Sequence, residues 1–368
     1  MFNWKTGKNF DFVLLLLVVL IFAIGLTFLF SATYQYSYTT GSGLAPANFL
    51  IRQIIWFVLA ILASAIILGV SYQKWLELAY PLYVVNLLLL LLVLVLGQTR
   101  LGAQRWIGFS NIGFQPSESI KIVIILTLAR FLGPKPSGSA KDIFVSFAII
   151  ALPFLLIVKQ PDLGTALTLI PILFTILYVW GVRLRTLLLI IFGAVLSTPA
   201  LWHFLKEYQK RRILVFINPN IDPLGAGYTV IQSKIAIGSG RIIGKGWLSG
   251  TQNQLNFLPE RHTDFIFSVV GEEWGFLGAV LLLGLYAALI WRSFNCLKRT
   301  GNASARLLGC GIIMLFSFQV AVNIAMTMGL VPVVGLPLPL ISYGGSSLLA
   351  TMVSLAFILN IGLRRTVF

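Results

Sequence analysis

The sequence predicts an all-α polytopic membrane protein, and three observations carry that prediction. Hydrophobic residues fill 58% of the 368 positions and charged residues 10%, too little polar surface to clothe a soluble globule of this length. Apolar runs long enough to cross a hydrocarbon core of ~30 Å, which takes roughly 20 helical residues, recur along the chain. The short connections between the runs carry most of their lysines and arginines on alternate sides.

In order, long runs lie near 11–32, 48–70, 74–97, 163–181, 184–205, 265–292, 305–330 and 342–363. Two shorter ones, near 117–133 and 142–158, bring the expectation to about ten transmembrane helices. The first run follows Lys5 and Lys8, is too long for a signal-peptide core and lacks a small-x-small cleavage site. It reads as a retained helix, with the mature chain starting at or near Met1. With the N-terminus inside, the inner short loops hold Lys74, Arg130, Lys135, Lys141, Arg183, Arg185, Arg292, Lys298, Arg299 and Arg306, and Arg364 and Arg365 close the chain. The outer short connections hold only Arg52, Arg100, Arg105 and Lys159, so both termini are expected in the cytoplasm. Topology and contact with anionic headgroups account for the net charge of +16. No RNA or DNA motif accompanies it, and nucleic acid is not an expected partner. Cys296 and Cys310 are not placed to form a structural disulfide. With no tandem repeat and no linker, residues 1–368 read as a single membrane domain.

One large extracytoplasmic loop, about 206–263, is expected between helices 7 and 8. Lys206, Lys210, Arg211 and Arg212 open it, and a later stretch, VIQSKIAIGSGRIIGKGW, suits a segment on the membrane surface with Lys234, Arg241 and Lys245 toward headgroups. Basic residues there suit a phosphate or pyrophosphate ligand, or plain snorkelling to lipid phosphates. The order GSGRIIGKG is neither a dinucleotide fingerprint nor a Walker A sequence and follows no strand, so a nucleotide loop is rejected.

Ionisable residues at membrane depth cost on the order of 2.5–3.5 kcal/mol on insertion scales, so each needs a partner or a purpose. Glu118 and Lys121, three apart at the start of the fourth helix, share a face and can pair, either as a neutralising brace or as a site facing a cavity. Pro116 and Ser117 supply helix-start chemistry. Asp162, in KQPDLGTA, is placed as a helix N-cap or a site residue. Asp264, in LPERHTDFIF, stands on the seam between the polar loop and the eighth helix, where it either caps that helix or serves as a base. Glu272 and Glu273 would lie about 80° and 180° around the helix and ~12 Å or more further along, which disfavours a two-carboxylate glycosidase pair. His262, on the solvent side of Asp264, joins the candidate substrate contacts rather than a zinc site, having no clustered ligands. The stretch 329–347, with Pro332, Pro337, Pro339, Gly344 and Gly345, reads as a re-entrant loop or a sharp outer turn.

Five blocks carry a resemblance: GAQRWIGFSNIGFQPSESIK (102–121), QPDLGTA (160–166), RRILVFINPNIDPLGAGY (211–228), LPERHTDFIFSVVGEE (258–273) and NIAMTMGLVPVVGLPLPLISYGGSS (323–347). Together, in order across nearly the whole chain, they resemble the shape, elongation, division and sporulation (SEDS) family. Arg261 and the short tails are more similar to its rod-shape branch than to its division branch. The resemblance implies a ten-helix bundle in the bacterial inner membrane that polymerises lipid II, a peptidoglycan glycosyltransferase. It puts the family's essential aspartate on Asp264, its helix-four Glu and Lys on Glu118 and Lys121, and its RW motif on Arg105 and Trp106. The implied reaction is inverting transfer, with Asp264 as general base and undecaprenyl pyrophosphate as leaving group. Arg211, Arg212, Arg241, Lys245 and Arg261 are the candidates for stabilising that pyrophosphate. No cofactor is demanded; a divalent cation, Mg or Mn, bridging Asp264 and pyrophosphate is compatible with the sequence, but no ligand cluster requires it. A class B penicillin-binding transpeptidase and the elongation machinery are the implied partners. Two other classes stay open: a lipid II transporter or flippase, which broken helices and intramembrane charges would also suit, and a scaffold in which Asp264 is dispensable.

Overall fold

The apolar runs fold as packed helices, described by the computed structural model over residues 10–35, 45–100, 103–108, 113–197, 203, 207–223, 225–298 and 300–364. Lys5, Lys8, Lys206, Arg299 and Arg365 lie outside the described residues. The first half runs α1 (Phe12–Thr33), α2 (Ala45–Gly69), α3 (Tyr72–Glu77), α4 (Ala79–Leu96), strands β1 (Gln98–Arg100) and β2 (Ala103–Trp106), α5 (Pro116–Leu132), α6 (Ala140–Lys159), α7 (Leu163–Trp180) and α8 (Leu184–Leu196). The second half runs α9 (Glu207–Ile217), α10 (Ala226–Ser239), α11 (Thr251–Gln254), α12 (Ile266–Glu273), α13 (Gly275–Leu297), α14 (Ala303–Thr327) and α15 (Gly345–Leu363). Among the described residues, eight helices, α1, α2, α4, α6, α7, α13, α14 and α15, are long and apolar enough to cross a membrane. Helix α5 has 17 residues and α8 has 13, and these occupy the other two predicted runs. The antiparallel β1–β2 ribbon is a small addition to the all-α class.

Burial sorts the helices by role. Helices α5 and α15 are buried on nearly every side, enclosed by their neighbours. Large apolar side chains such as Val95, Phe144 and Leu189 stay exposed on α4, α6 and α8. Patches of that kind suit contact with lipid tails rather than water. The molecule is a multi-pass membrane protein.

The segment expected as a loop from 206 to 263 is largely helical, and its helices pack on one end of the bundle. Helix α10 packs against α12, and Ser233 Oγ donates to the Thr327 carbonyl at 2.5 Å and lies 2.6 Å from Ser268 Oγ. Of the uneven apolar pattern, Val230 is buried and Ile231 and Ile237 are half-buried in this contact, whereas Ile235, Ile242 and Ile243 stay exposed together with Lys234, so one part packs on the bundle and the other faces outward.

The predicted run 265–292 is broken in two at Trp274, and the glycine-rich stretch explains how the break is tolerated. Lys245 N and Gly246 N donate to the carbonyls of Glu272 and Glu273, each at 3.0 Å. In return the amides of Phe276 and Leu277 donate to the carbonyls of Arg241 and Ile242, at 2.9 and 3.0 Å. Two carbonyls at the end of α12 and two amides at the start of α13 are thereby paired. A Cβ on Gly244, whose φ is +90°, would stand 2.1 Å from the Glu273 carbonyl oxygen, so only glycine permits this approach.

The stretch 331–344 is non-helical and buried: Leu336, Leu338, Leu340 and Ile341 are almost fully enclosed. A Cβ on Gly25 of α1 would meet the backbone of Leu340 and Ile341 at 2.8 Å, eight residues or about 12 Å inside the end of α1. The backbone therefore re-enters the bundle rather than turning at its surface, with Tyr286 Oη donating to the Pro339 carbonyl at 2.6 Å.

Candidate active site

A cavity of about 330 Å³ opens at the bundle end where the residues before α12 meet the re-entrant loop. Strand β2 gives it Arg105 and Trp106, the start of α5 gives Gln115 and Glu118, α7 gives Thr165 with Asp162 just ahead of it, and α9 gives Arg212. Glu260, Thr263 and Asp264 complete the wall, facing Gly335 and Tyr343.

Asp264 does not cap α12: Phe265 holds the N-cap position, and no side-chain cap bond is made there. What fixes Asp264 is its backbone. The carbonyls of His262, Thr263 and Asp264 accept from Tyr343 N at 2.9 Å, Ser342 Oγ at 2.6 Å and Asn323 Nδ2 at 2.9 Å. Asn323 also donates to the Leu336 carbonyl at 2.7 Å, so one amide ties the acid's peptide to the re-entrant loop. Gly335, at φ +72°, leaves room for the carboxylate, since a Cβ there would lie 3.2 Å from Asp264 Oδ2. The half-buried carboxyl is pushed up to about 6, chiefly by loss of water and then by the nearby Glu260 charge, against the pull of Arg105 and Arg212. That is the range of a working general base.

The other carboxylates of the cavity are already engaged. Asp162 caps α7, accepting from Thr165 N at 3.3 Å, and also receives Gln115 Nε2 at 3.1 Å and Ser117 Oγ at 3.2 Å. Arg105 Nη1 lies 3.5 Å from Asp162 Oδ1, while its Nη2 donates to the Pro161 carbonyl at 2.7 Å. Glu118 and Lys121 are paired at 2.7 Å and buried, with Glu118 still reaching the cavity floor. Asp162 and Glu118 thus each make a structural contact and also line the cavity, whereas Lys121 does not reach it.

The basic candidates separate. Of the five proposed for pyrophosphate, Arg212 alone lines this cavity. Arg211 pairs with Asp222 at 2.9 Å. Arg241 and Lys245 line a different hollow at the glycine-rich stretch. Lys245 is not aimed at headgroups: its ammonium lies 2.8 Å from the buried Glu272, which also accepts from Gln252 N and Asn253 N at the start of α11. Arg261 is buried and donates Nε to the Ala32 carbonyl at 2.6 Å, bracing the motif against α1. His262 is not on an open solvent side; it is half-buried edge-on to Phe49, 5.3 Å between rings, and burial holds its imidazole below the usual range.

Glu260, Gln115 and Tyr343 are among the cavity residues that the sequence reading left unweighed. Glu260 precedes Asp264 by one helical turn's worth of residues within the same motif, and that spacing was the available signal. Gln115, just before Pro116, and Tyr343 carry none beyond polarity. Among the described residues, no three His, Cys, Asp or Glu side chains gather as a metal site.

A sequence profile of the FtsW, RodA and SpoVE cell cycle proteins matches residues 11–366. The chain belongs to this family. It is 42% identical to the peptidoglycan glycosyltransferase MrdB of Escherichia coli K12 over 296 residues, 80% of this chain and 79% of that one. Among solved structures, a chain from a peptidoglycan synthase complex that coordinates polymerization and crosslinking superposes with a TM-score of 0.83 at 36% identity, covering 97% of this chain and 98% of that one. The rod shape determining protein RodA of Thermus thermophilus does so with a TM-score of 0.73 at 33% identity, over the same shares. The family places this chain among the SEDS proteins that its motifs resemble.

Proposed function

We propose that the protein is a peptidoglycan glycosyltransferase of the rod-shape branch, polymerising lipid II into glycan strands at the outer face of the bacterial inner membrane, with both termini in the cytoplasm. The observation that carries this reading is Asp264: a carboxyl held near 6, in a polar cavity shared with two guanidiniums, just ahead of α12. Asp264 removes the proton from the acceptor sugar hydroxyl as that oxygen attacks the anomeric carbon of the donor. The bond from that carbon to undecaprenyl pyrophosphate breaks, and the configuration inverts. Arg212 and Arg105 face the developing negative charge on the leaving group. Fixed carbonyls at 262–264 hold the base still, which is where positioning enters the rate. A divalent cation, Mg or Mn, would find Asp264 and Glu260 as its donors here, and no step above depends on it.

Activity in the relatives' names and the crosslinking partner of the synthase complex support pairing with a class B penicillin-binding transpeptidase within the elongation machinery. The deep re-entrant loop and broken helix also suit a lipid II flippase, the second reading. Purified protein supplied with lipid II in detergent separates them: polymer from the native chain, lost in a folded Asp264→Asn variant, supports the enzyme. Lipid movement across vesicles without polymer, or polymer from the folded variant, would overturn it.

A further inference from the structure

Beside the cavity lies a second hollow of about 140 Å³, lined by Val215 and Phe216 of α9, Thr229 and Val230 of α10 and residues 331–333 of the re-entrant stretch. The two hollows share one residue, Arg212. Their linings are opposite in character. On one side of Arg212 stand carboxylates, amides and hydroxyls able to hold a sugar. On the other stand valines, a phenylalanine and Pro332, with Thr229 adding a single hydroxyl, so this wall is chiefly apolar. Beyond that hollow, Ile217 and Leu330 are 72% and 64% exposed, extending the apolar path toward the surface.

A ligand matching this order has a polar head, an anionic joint at a guanidinium and an apolar tail, which is the chemistry of a sugar on a polyprenyl diphosphate. We propose that this hollow holds the first isoprene units of the lipid-linked substrate, with the diphosphate at Arg212. The inference rests on the proposed function for the head group, but the tail site is testable by itself. The hollow is too small for an entire undecaprenyl chain, so the remainder lies against the lipid-facing surface.

The experiment is photolabelling of the full-length protein in detergent with a farnesyl diphosphate bearing a terminal diazirine. Adducts are expected on the peptides holding 215–216 and 331–333, competed by undecaprenyl diphosphate and retained in Asp264→Asn. Val331→Trp, which fills the hollow, should weaken them about tenfold. A farnesol probe of the same length should label them about tenfold less, ~1.4 kcal/mol, because it lacks the anionic joint. Labelling confined to lipid-facing helices such as α8, unchanged labelling in Val331→Trp, or equal labelling by the farnesol probe would each overturn the tail site. Since labelling reads binding and not turnover, absence of polymerisation would count against the proposed reaction alone.

Discussion

The acid limb of the pH profile is where the Asp264 assignment meets a number. With its carboxyl near 6, Asp264 is roughly nine-tenths ionised at pH 7 and roughly one-tenth at pH 5. A base works deprotonated, so kcat/KM should rise with pH through the folded value and drop about tenfold between pH 7 and 5. An ordinary aspartate, at 3.8, would still be more than nine-tenths ionised at about pH 5, and the rate would hardly move. The causes of the shift give the perturbation its direction. Glu260→Gln removes the like charge that raises Asp264, so the limb should move to lower pH; Arg212→Gln removes an opposing cation, so it should move up. The assay is initial rates of lipid II polymerisation in detergent from about pH 4.5 to 8 for the native chain and both variants. Titration of the substrate itself is common to all three, so the displacement between curves is what decides. A limb centred near 4, or an active Glu260→Gln enzyme with an unmoved limb, would refute the reasoning.

Breaking the buried Glu118–Lys121 pair on one side leaves an uncompensated charge, so Glu118→Gln or Lys121→Met alone should lower stability by about 3–5 kcal/mol, and the double variant should regain most of it in thermal unfolding. Lys245→Met should cost about 3 kcal/mol by stranding buried Glu272, yet leave polymerisation per folded molecule unchanged. Loss of turnover without loss of stability would return Lys245 to the substrate. Gly244→Ala should cost on the order of 3 kcal/mol or more, since its methyl would overlap the Glu273 carbonyl; a native melting temperature would contradict that packing.

Helix positions were legible in the sequence because a bilayer leaves few options: apolar runs near 20 residues must satisfy their own backbone, and each predicted run is helical over most of its described length. The pairing of Glu118 with Lys121 followed from helical spacing, and the N-cap role of Asp162 from its place before α7. The choice between cap and base at Asp264 did not follow from local order, because both put the same residue at the same helix start. Contacts from Asn323, Ser342 and Tyr343, 59 to 81 residues away along the chain, fix that peptide and leave the carboxyl facing a cavity. The basic residues behaved likewise: charge and loop position were the same for Arg212, Lys245 and Arg261. Only the fold assigned one to the cavity, one to a buried carboxylate and one to a carbonyl of α1. Local spacing sets which residues share a helix face, whereas desolvation and partner choice depend on segments far apart in sequence, and those are what made Asp264 a candidate base.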